Sequence, residues 1–154
     1  ENGQLKFDRI YQEGDFISQK DENGNIIRTK DKNNTVKVYH TNGQLRRETV
    51  NVDKNIKRIT TYSDSGSVLS KQIKIIELDG KERLYLKSFY QNGQVKLENL
   101  QVRPSKPNHR GFRVSKYHGI WKEYYENGQL KIETNLDMGE VISEKCWDEH
   151  GNEI

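Results

Sequence analysis

The chain has 154 residues and a formal net charge of +3; 31% of its residues are hydrophobic and 32% are charged. This length favours one domain, and the composition is too polar for a thick two-layer core, so a thin sheet fits best. The small positive charge is typical of a mixed-charge surface and does not by itself indicate nucleic-acid binding. Alanine is absent while isoleucine, valine, tyrosine and threonine are plentiful, so we expect strands and no helix.

A short motif built around an Asn-Gly pair recurs from the first residues to the last. Four copies are nearly identical and three are degenerate, and successive copies lie 19 to 35 residues apart, which is typical of a repeat array. Each copy predicts the tip of a β-hairpin, because glycine readily accepts the positive φ of a tight turn. The turn glycines are Gly3, Gly24, Gly43, Gly66, Gly93, Gly128 and Gly151.

The copy around Gly128 indicates the type of turn. Tyr124 precedes the glycine by four positions and Leu130 follows it by two, and most other copies also have an aromatic and an aliphatic residue there. A two-residue loop would place these side chains on opposite faces of the hairpin. A three-residue loop with glycine in a bulge would set Tyr124 opposite Leu130, and we prefer this second alternative.

Between the motif turns, a second and looser turn is predicted about half a period along. The chain would then reverse every ten to twelve residues or so, as in a β-meander. The expected fold is all-β: an extended, single-layer antiparallel meander of repeated β-hairpins, elongated, with about 12 strands in one array over residues 1–154. The second turns are Glu13-Gly14-Asp15, Lys32-Asn33-Asn34, Asp53-Lys54-Asn55, Asp79-Gly80-Lys81 and Asp137-Met138-Gly139.

The start of the chain and its single cysteine bear on location. Glu1 falls inside a predicted turn, so we expect that a signal peptide, further repeats or disordered residues preceded it. No apolar run approaches the roughly 20 residues of a membrane helix, which indicates a soluble protein, cytoplasmic or exported to the cell envelope. Cys146 is the only cysteine, so it cannot form an internal disulfide, and it lacks the neighbours of a zinc site.

The interval between Gly93 and Gly128 contains an insertion at about residues 103–116. It holds Pro104 and Pro107, the only prolines in the protein, and proline opposes a central strand, so we predict a loop. No acidic residue occurs in residues 99–122. Such a loop is suited to an anionic partner, although a solvated basic loop is the alternative. The cations are Arg103, Lys106, Arg110, Arg113, Lys116 and Lys122.

Residues 117–125 follow the insertion and form the densest aromatic cluster. Because alternate residues of a strand point to opposite faces, part of this cluster should face solvent. Exposed tryptophan and tyrosine are favoured binding anchors, so Tyr117, Trp121 and Tyr125 are candidates for partner binding. The alternative is that these rings are internal packing of the sheet.

Residues 119–133, which run from Gly119-Ile120-Trp121 through Asn127-Gly128-Gln129 to Glu133, resemble the MORN-variant repeat (membrane occupation and recognition nexus). Repeats of this kind occur in bacterial proteins similar to YwqK-type antitoxin components. The resemblance is strongest around Gly43, Gly93 and Gly128, and it does not extend to the insertion. It implies an extended antiparallel sheet that serves as a protein-interaction scaffold, in some relatives paired with a toxin, without catalytic residues.

Two functional classes remain in contention. The first is a non-catalytic scaffold for a protein partner, antitoxin-like or surface-interacting. The second is a phospholipid- or polyanion-binding module that uses the basic loop, with Phe112 or Trp121 entering an interface. We find no catalytic set, metal-ligand spacing or phosphate loop, so we expect neither an enzyme nor a cofactor. The candidate partner-binding residues are Arg103, Lys106, Arg110, Phe112, Arg113, Lys116, Tyr117, Trp121 and Tyr125.

Overall fold

The structure, a computed structural model, describes residues 7–12 and 15–154. Within these residues the chain forms one antiparallel sheet of 13 strands and no helix, as predicted. The strands are Phe7–Gln12 (β1), Asp15–Asp21 (β2), Ile26–Lys30 (β3), Thr35–Tyr39 (β4), Leu45–Asn51 (β5), Ile56–Tyr62 (β6), Val68–Ile76 (β7), Glu82–Phe89 (β8), Val95–Arg103 (β9), Lys116–Tyr117 (β10), Gly119–Tyr124 (β11), Leu130–Asp137 (β12) and Glu140–Cys146 (β13).

The strand order confirms the meander. Each strand from β1 to β9 pairs with the next in sequence, β9 pairs with both β10 and β11, and β12 and β13 complete the sheet. The twelve strands that lie side by side, at roughly 4.8 Å apart, make the sheet about 55 Å wide, so it is elongated. The predicted turns at Gly3 and at Glu13-Gly14 lie outside the described residues.

The turn at Gly128 has the predicted three-residue loop. The Gly128 amide donates to the Tyr125 carbonyl at 2.9 Å, and the Tyr125 amide donates to the Gln129 carbonyl at 2.8 Å. Gly128 has a φ of +86°, which a residue with a Cβ rarely adopts. As a result Tyr124 lies opposite Leu130, and the same geometry recurs at the glycines of the other described motif copies.

The strand after each of five motif turns contains a further irregularity that the sequence did not predict. After Gly128 the register moves from Tyr124 opposite Leu130 to Glu123 opposite Ile132, which leaves Lys131 as an extra, bulged residue. Lys131 places its ammonium 5.6 Å from the centre of the Tyr125 ring, a cation–π distance. The five bulged residues are Ile27, Arg46, Leu69, Lys96 and Lys131.

Neighbouring motif turns are joined side by side along one edge of the sheet, which we call the motif edge; it carries the described motif glycines from Gly24 to Gly151. The Asn127 side chain donates to the Glu149 carbonyl of the next turn at 3.0 Å. Asn42 and Asn92 make the same contact with the turns that follow them. The asparagine of the motif therefore connects repeats as well as forming its own turn.

The glutamine of the motif also belongs to this edge. A Cβ added at Gly151 would lie 2.6 Å from Gln129 Oε1, and one added at Gly128 would lie 2.9 Å from Gln94 Oε1. The side chain of each of these glutamines therefore rests against the glycine of the next turn. This contact explains why the Asn-Gly-Gln triplet recurs as a unit.

The opposite edge, which we call the insertion edge, is less regular. It carries the turns at 32–34, 53–55, 78–80 and 138–139 and the insertion. Asn34 takes the place of glycine in the first of these turns with a φ of +61°, and Met138 and Gly139 form a two-residue turn in which both φ angles are positive. The irregular part of the insertion covers residues 104–115, because Arg103 ends β9 and Lys116 begins β10; it is one residue shorter at each end than predicted.

The sheet is a single layer, so its two faces are both open among the described residues. Val102, with 7% of its surface exposed, is the only buried apolar residue in that part of the chain. Residues opposite each other in register share a face. We call one side the Trp121 face, which also carries Tyr117 and Ile132, and the other the Tyr85 face, which also carries Tyr124 and Glu98.

Candidate partner-binding site

The base of the insertion is fastened to the sheet by two of the predicted site residues. Arg103 Nε donates to the Arg113 carbonyl at 3.1 Å, and Arg113 Nε donates to the Pro104 carbonyl at 2.7 Å. Arg113 also donates to the Gly80 carbonyl, 33 residues away in sequence, at 3.2 Å. These bonds hold the two ends of the loop together and against the turn between β7 and β8.

Glu82 is the acidic centre of this attachment. Its carboxylate accepts from Lys74 at 2.8 Å and lies 3.5 Å from Arg113 and 3.8 Å from Arg103. Only 16% of the Glu82 side chain is exposed. The hydrogen bond from Lys74, together with the charges of Lys74, Arg113 and Arg103, lowers the pKa of the Glu82 carboxyl below its ordinary value. Arg103 and Arg113 are therefore already engaged within the protein.

The tip of the insertion is exposed but ordered by its own turn. The Asn108 carboxamide oxygen accepts from the amides of Arg110 and Phe112 at 3.0 and 3.1 Å, and Gly111 takes a φ of +80°. Phe112 is 66% exposed. Lys106 and Arg110 are also exposed, and neither forms an ion pair with the described residues. A phenyl ring and two cations are thus presented together on a fixed base.

The two remaining cations of the basic segment differ from each other. Lys116 lies in β10, is exposed and forms no ion pair within the part of the chain that the structure describes. Lys122 lies 3.1 Å from Glu133 on the neighbouring strand, and the hydrogen bond that Lys122 donates to the Glu133 carboxylate raises the pKa of the Lys122 ammonium. Three of the six predicted cations are thus paired with acidic side chains, which reduces the charge left for a polyanion.

Tyr117 and Trp121 form an aromatic pair on the Trp121 face. Their ring centres lie 4.5 Å apart at an interplanar angle of 73°, an edge-to-face arrangement. With Ile132, Thr134 and other residues they line a shallow concavity of about 250 Å³. None of the insertion-tip residues lines it, so the tip and the aromatic pair are two adjacent surfaces along the chain and not one pocket.

Tyr125 lies apart from both the insertion tip and the Tyr117–Trp121 pair. It follows β11 at the motif edge, where its hydroxyl donates to the Trp147 carbonyl of the next turn at 2.9 Å. Tyr90 makes the equivalent bond to the Tyr124 carbonyl at 2.8 Å. The Tyr125 side chain therefore joins neighbouring repeats, which is the packing alternative considered for this cluster.

An apolar surface that the sequence did not reveal lies on the Tyr85 face. Ile73, Tyr85, Leu100 and Ile120, from four adjacent strands, line an open concavity of about 540 Å³. Ile73, Tyr85 and Ile120 are 41%, 42% and 46% exposed. The four residues span 48 positions of sequence, so only the strand register brings them together. The sequence contained one indication of this surface, namely apolar residues at alternate positions of strands that were predicted to be neighbours.

The described residues contain no group of three or more histidine, cysteine, aspartate or glutamate side chains that could hold a metal ion. Within the same part of the chain there is no helix long and apolar enough to cross a membrane.

Comparison with known families supports the repeat assignment. Two stretches of the chain, residues 32–51 and 117–137, match the family described as the MORN repeat variant. Each stretch contains one hairpin around an Asn-Gly motif turn, at Gly43 and at Gly128. The resemblance to the MORN-variant repeat is thereby confirmed for these two hairpins. No curated protein matches this sequence.

Proposed function

We propose that this protein is a non-catalytic scaffold that binds a protein partner, with the tip of the insertion as the main contact. The supporting observation is the contrast within the insertion. Arg103 and Arg113 fix its base, while Lys106, Arg110 and Phe112 are exposed at its tip. A loop ordered before binding loses less entropy when a partner docks, and an exposed phenyl ring beside cations is a suitable anchor.

The Tyr117–Trp121 pair extends this surface. Trp121 is half-buried against Tyr117, so it offers a rigid aromatic edge next to the return of the insertion to the sheet. Lys116 lies between the two surfaces in sequence. An antitoxin-like role would be one form of such an interaction, in which the partner is a toxin.

The test uses the full chain with the insertion tip neutralised. The triple variant Lys106→Ser, Arg110→Ser and Phe112→Ser leaves the attachment at Glu82 intact. A matched control, Lys32→Ser, Arg46→Ser and Val52→Ser, removes the same charges and one exposed apolar side chain elsewhere. Surface changes of this kind alter stability by about 0.5 kcal/mol or less, so both variants should melt within about 2 °C of the parent.

Each protein is immobilised and exposed to an extract of its native cells, and the captured material is quantified by mass spectrometry. We expect the parent and the control to retain the same protein, and the tip variant to retain at least about ten-fold less. Retention by the tip variant at the parental level would contradict the proposal. Capture of lipid or nucleic acid that is released by salt would instead support a polyanion-binding module.

Trp121→Ala tests whether the aromatic pair takes part. If it does, binding of the captured partner should weaken by about 2 kcal/mol, as expected of an aromatic anchor. Tyr11→Ala, which removes an aromatic side chain that is 55% exposed on β1, serves as the control. Equal binding by both alanine variants would limit the site to the insertion.

A further inference from the structure

The Tyr85 face carries a second feature that the insertion does not involve. Ile73, Tyr85, Leu100 and Ile120 form a row across β7, β8, β9 and β11, which we call the apolar row. Neighbouring strands are roughly 4.8 Å apart, so the row is about 14 Å long. Three of its four side chains are more than 40% exposed, and no second layer of the described chain covers them.

The charges around the apolar row are unbalanced. Arg58 lies directly opposite Ile73 on β6, and Lys71 lies at the rim of the concavity. Both are exposed, and neither forms an ion pair among residues 7–12 and 15–154. Two cations without acidic partners therefore flank the end of the row formed by Ile73.

The acidic groups near the row are already occupied. Glu98 pairs with Lys87 on the neighbouring strand. Asp137 Oδ1 lies 3.2 Å from Nδ1 of His118 at the opposite end. Glu48 lies on the same face, diagonal to Arg58 on β5, and it pairs with Lys37 at 3.7 Å. Arg58 and Lys71 therefore add positive charge at the Ile73 end that no ion pair of the described residues offsets.

We infer that the apolar row is a binding site for a peptide segment of a protein partner, with apolar side chains at alternate positions and carboxylates at one end. In an extended peptide, side chains on one face recur every 6.6 to 7 Å or so, so three of them span about 14 Å, the length of the row. The carboxylates then lie beside Arg58 and Lys71. Charge complementarity of this kind sets the direction in which the peptide lies.

The probe is a fluorescent peptide of about ten residues, with three alternating leucines that match the row and with glutamates at one end. A second peptide has lysines in place of the glutamates. Binding to the full chain is followed by fluorescence anisotropy. The glutamate peptide should bind at least about ten-fold more tightly than the lysine peptide, and this ratio should shrink as salt is added.

Two pairs of variants test the residues. Ile73→Thr with Ile120→Thr keeps β-branched side chains in both strands, and its matched control is Ile10→Thr with Ile142→Thr, at isoleucines that are 42% and 62% exposed elsewhere. We expect the first pair to weaken binding of the glutamate peptide about ten-fold and the control to change it less than about two-fold.

Arg58→Gln with Lys71→Gln should weaken binding of the glutamate peptide about five-fold and bring its affinity close to that of the lysine peptide. The reason is that the protein then lacks the two cations that favour one peptide over the other. The control Lys32→Gln with Arg46→Gln should preserve the difference. Equal affinity of the two peptides for the parent, no binding of either, or unchanged binding by both test pairs would overturn the inference. None of these changes touches the insertion tip, so the proposed scaffold function is tested separately.

Discussion

The two edges of the sheet are built differently, although reversals of the chain between antiparallel strands form both. At the motif edge, asparagine side chains bond one turn to the next, and glutamine side chains rest on the following glycine. At the insertion edge the turns differ in length and conformation, and one of them is replaced by the insertion. The repeated sequence therefore serves contact between neighbouring repeats, whereas the other edge can vary and carries the insertion.

The largest expected effect comes from the glycines of the motif edge. Gly128→Val should lower the free energy of unfolding by about 2 to 3 kcal/mol, because a β-branched residue is strained at positive φ. Gly43→Val isolates this strain, since Gly43 has a φ of +83° and open space around it. Chemical denaturation should show Gly128→Val to be worse by no more than about 1 kcal/mol, because the neighbouring Gln94 side chain can move. Parental stability in either variant would contradict this assignment.

Glu82→Gln tests the attachment at the insertion edge. It should cost about 1 to 2 kcal/mol at neutral pH, because Lys74, Arg103 and Arg113 lose their shared carboxylate. Trypsin should also cut after the exposed Arg110 more rapidly. Glu22→Gln, at an exposed glutamate in a motif turn, is the control and should change neither property.

The same variant predicts a pH dependence. The folded-state pKa of Glu82 is lowered, so its contribution to stability is present above the ordinary value of 4.5 and is lost as pH falls through the lower folded value. The difference in melting temperature between the parent and Glu82→Gln should therefore be constant near neutral pH and shrink in acid. A difference that persists unchanged well below that range would show that the carboxylate charge is not what holds the insertion.

The smallest expected effect on stability distinguishes two turns of the motif edge. Asn127→Ala removes a bond to the Gln129 amide and the bond to the Glu149 carbonyl, and should cost about 1 kcal/mol. Asn23→Ala is the matched comparison, because the Asn23 side chain makes neither bond and Asp21 caps that turn instead. Thermal melts should leave Asn23→Ala within about 0.3 kcal/mol of the parent; equal losses in the two variants would argue against side-to-side bonding of the turns.

Local chemistry in the sequence was enough to predict the hairpins. Asn127-Gly128 sets a tight turn through the φ that glycine allows, and the spacing of Tyr124 and Leu130 then sets their pairing, without reference to any other repeat. The position of the insertion follows equally from Pro104 and Pro107. These are properties of a few consecutive residues, and the tertiary structure leaves them unchanged.

Only the tertiary structure decided which side chains are available for binding. Arg113 reaches Gly80, in the turn between β7 and β8, and Glu82 at the start of β8, so its charge is used within the protein, while Arg110, three residues earlier, stays exposed. The bulge at Lys131 changes the register after a turn that was predicted correctly. Ile73 and Ile120 share a surface because three strand pairings lie between them. Contacts of this kind depend on several successive strand registers taken together, and each bulge along the way changes which side chains meet.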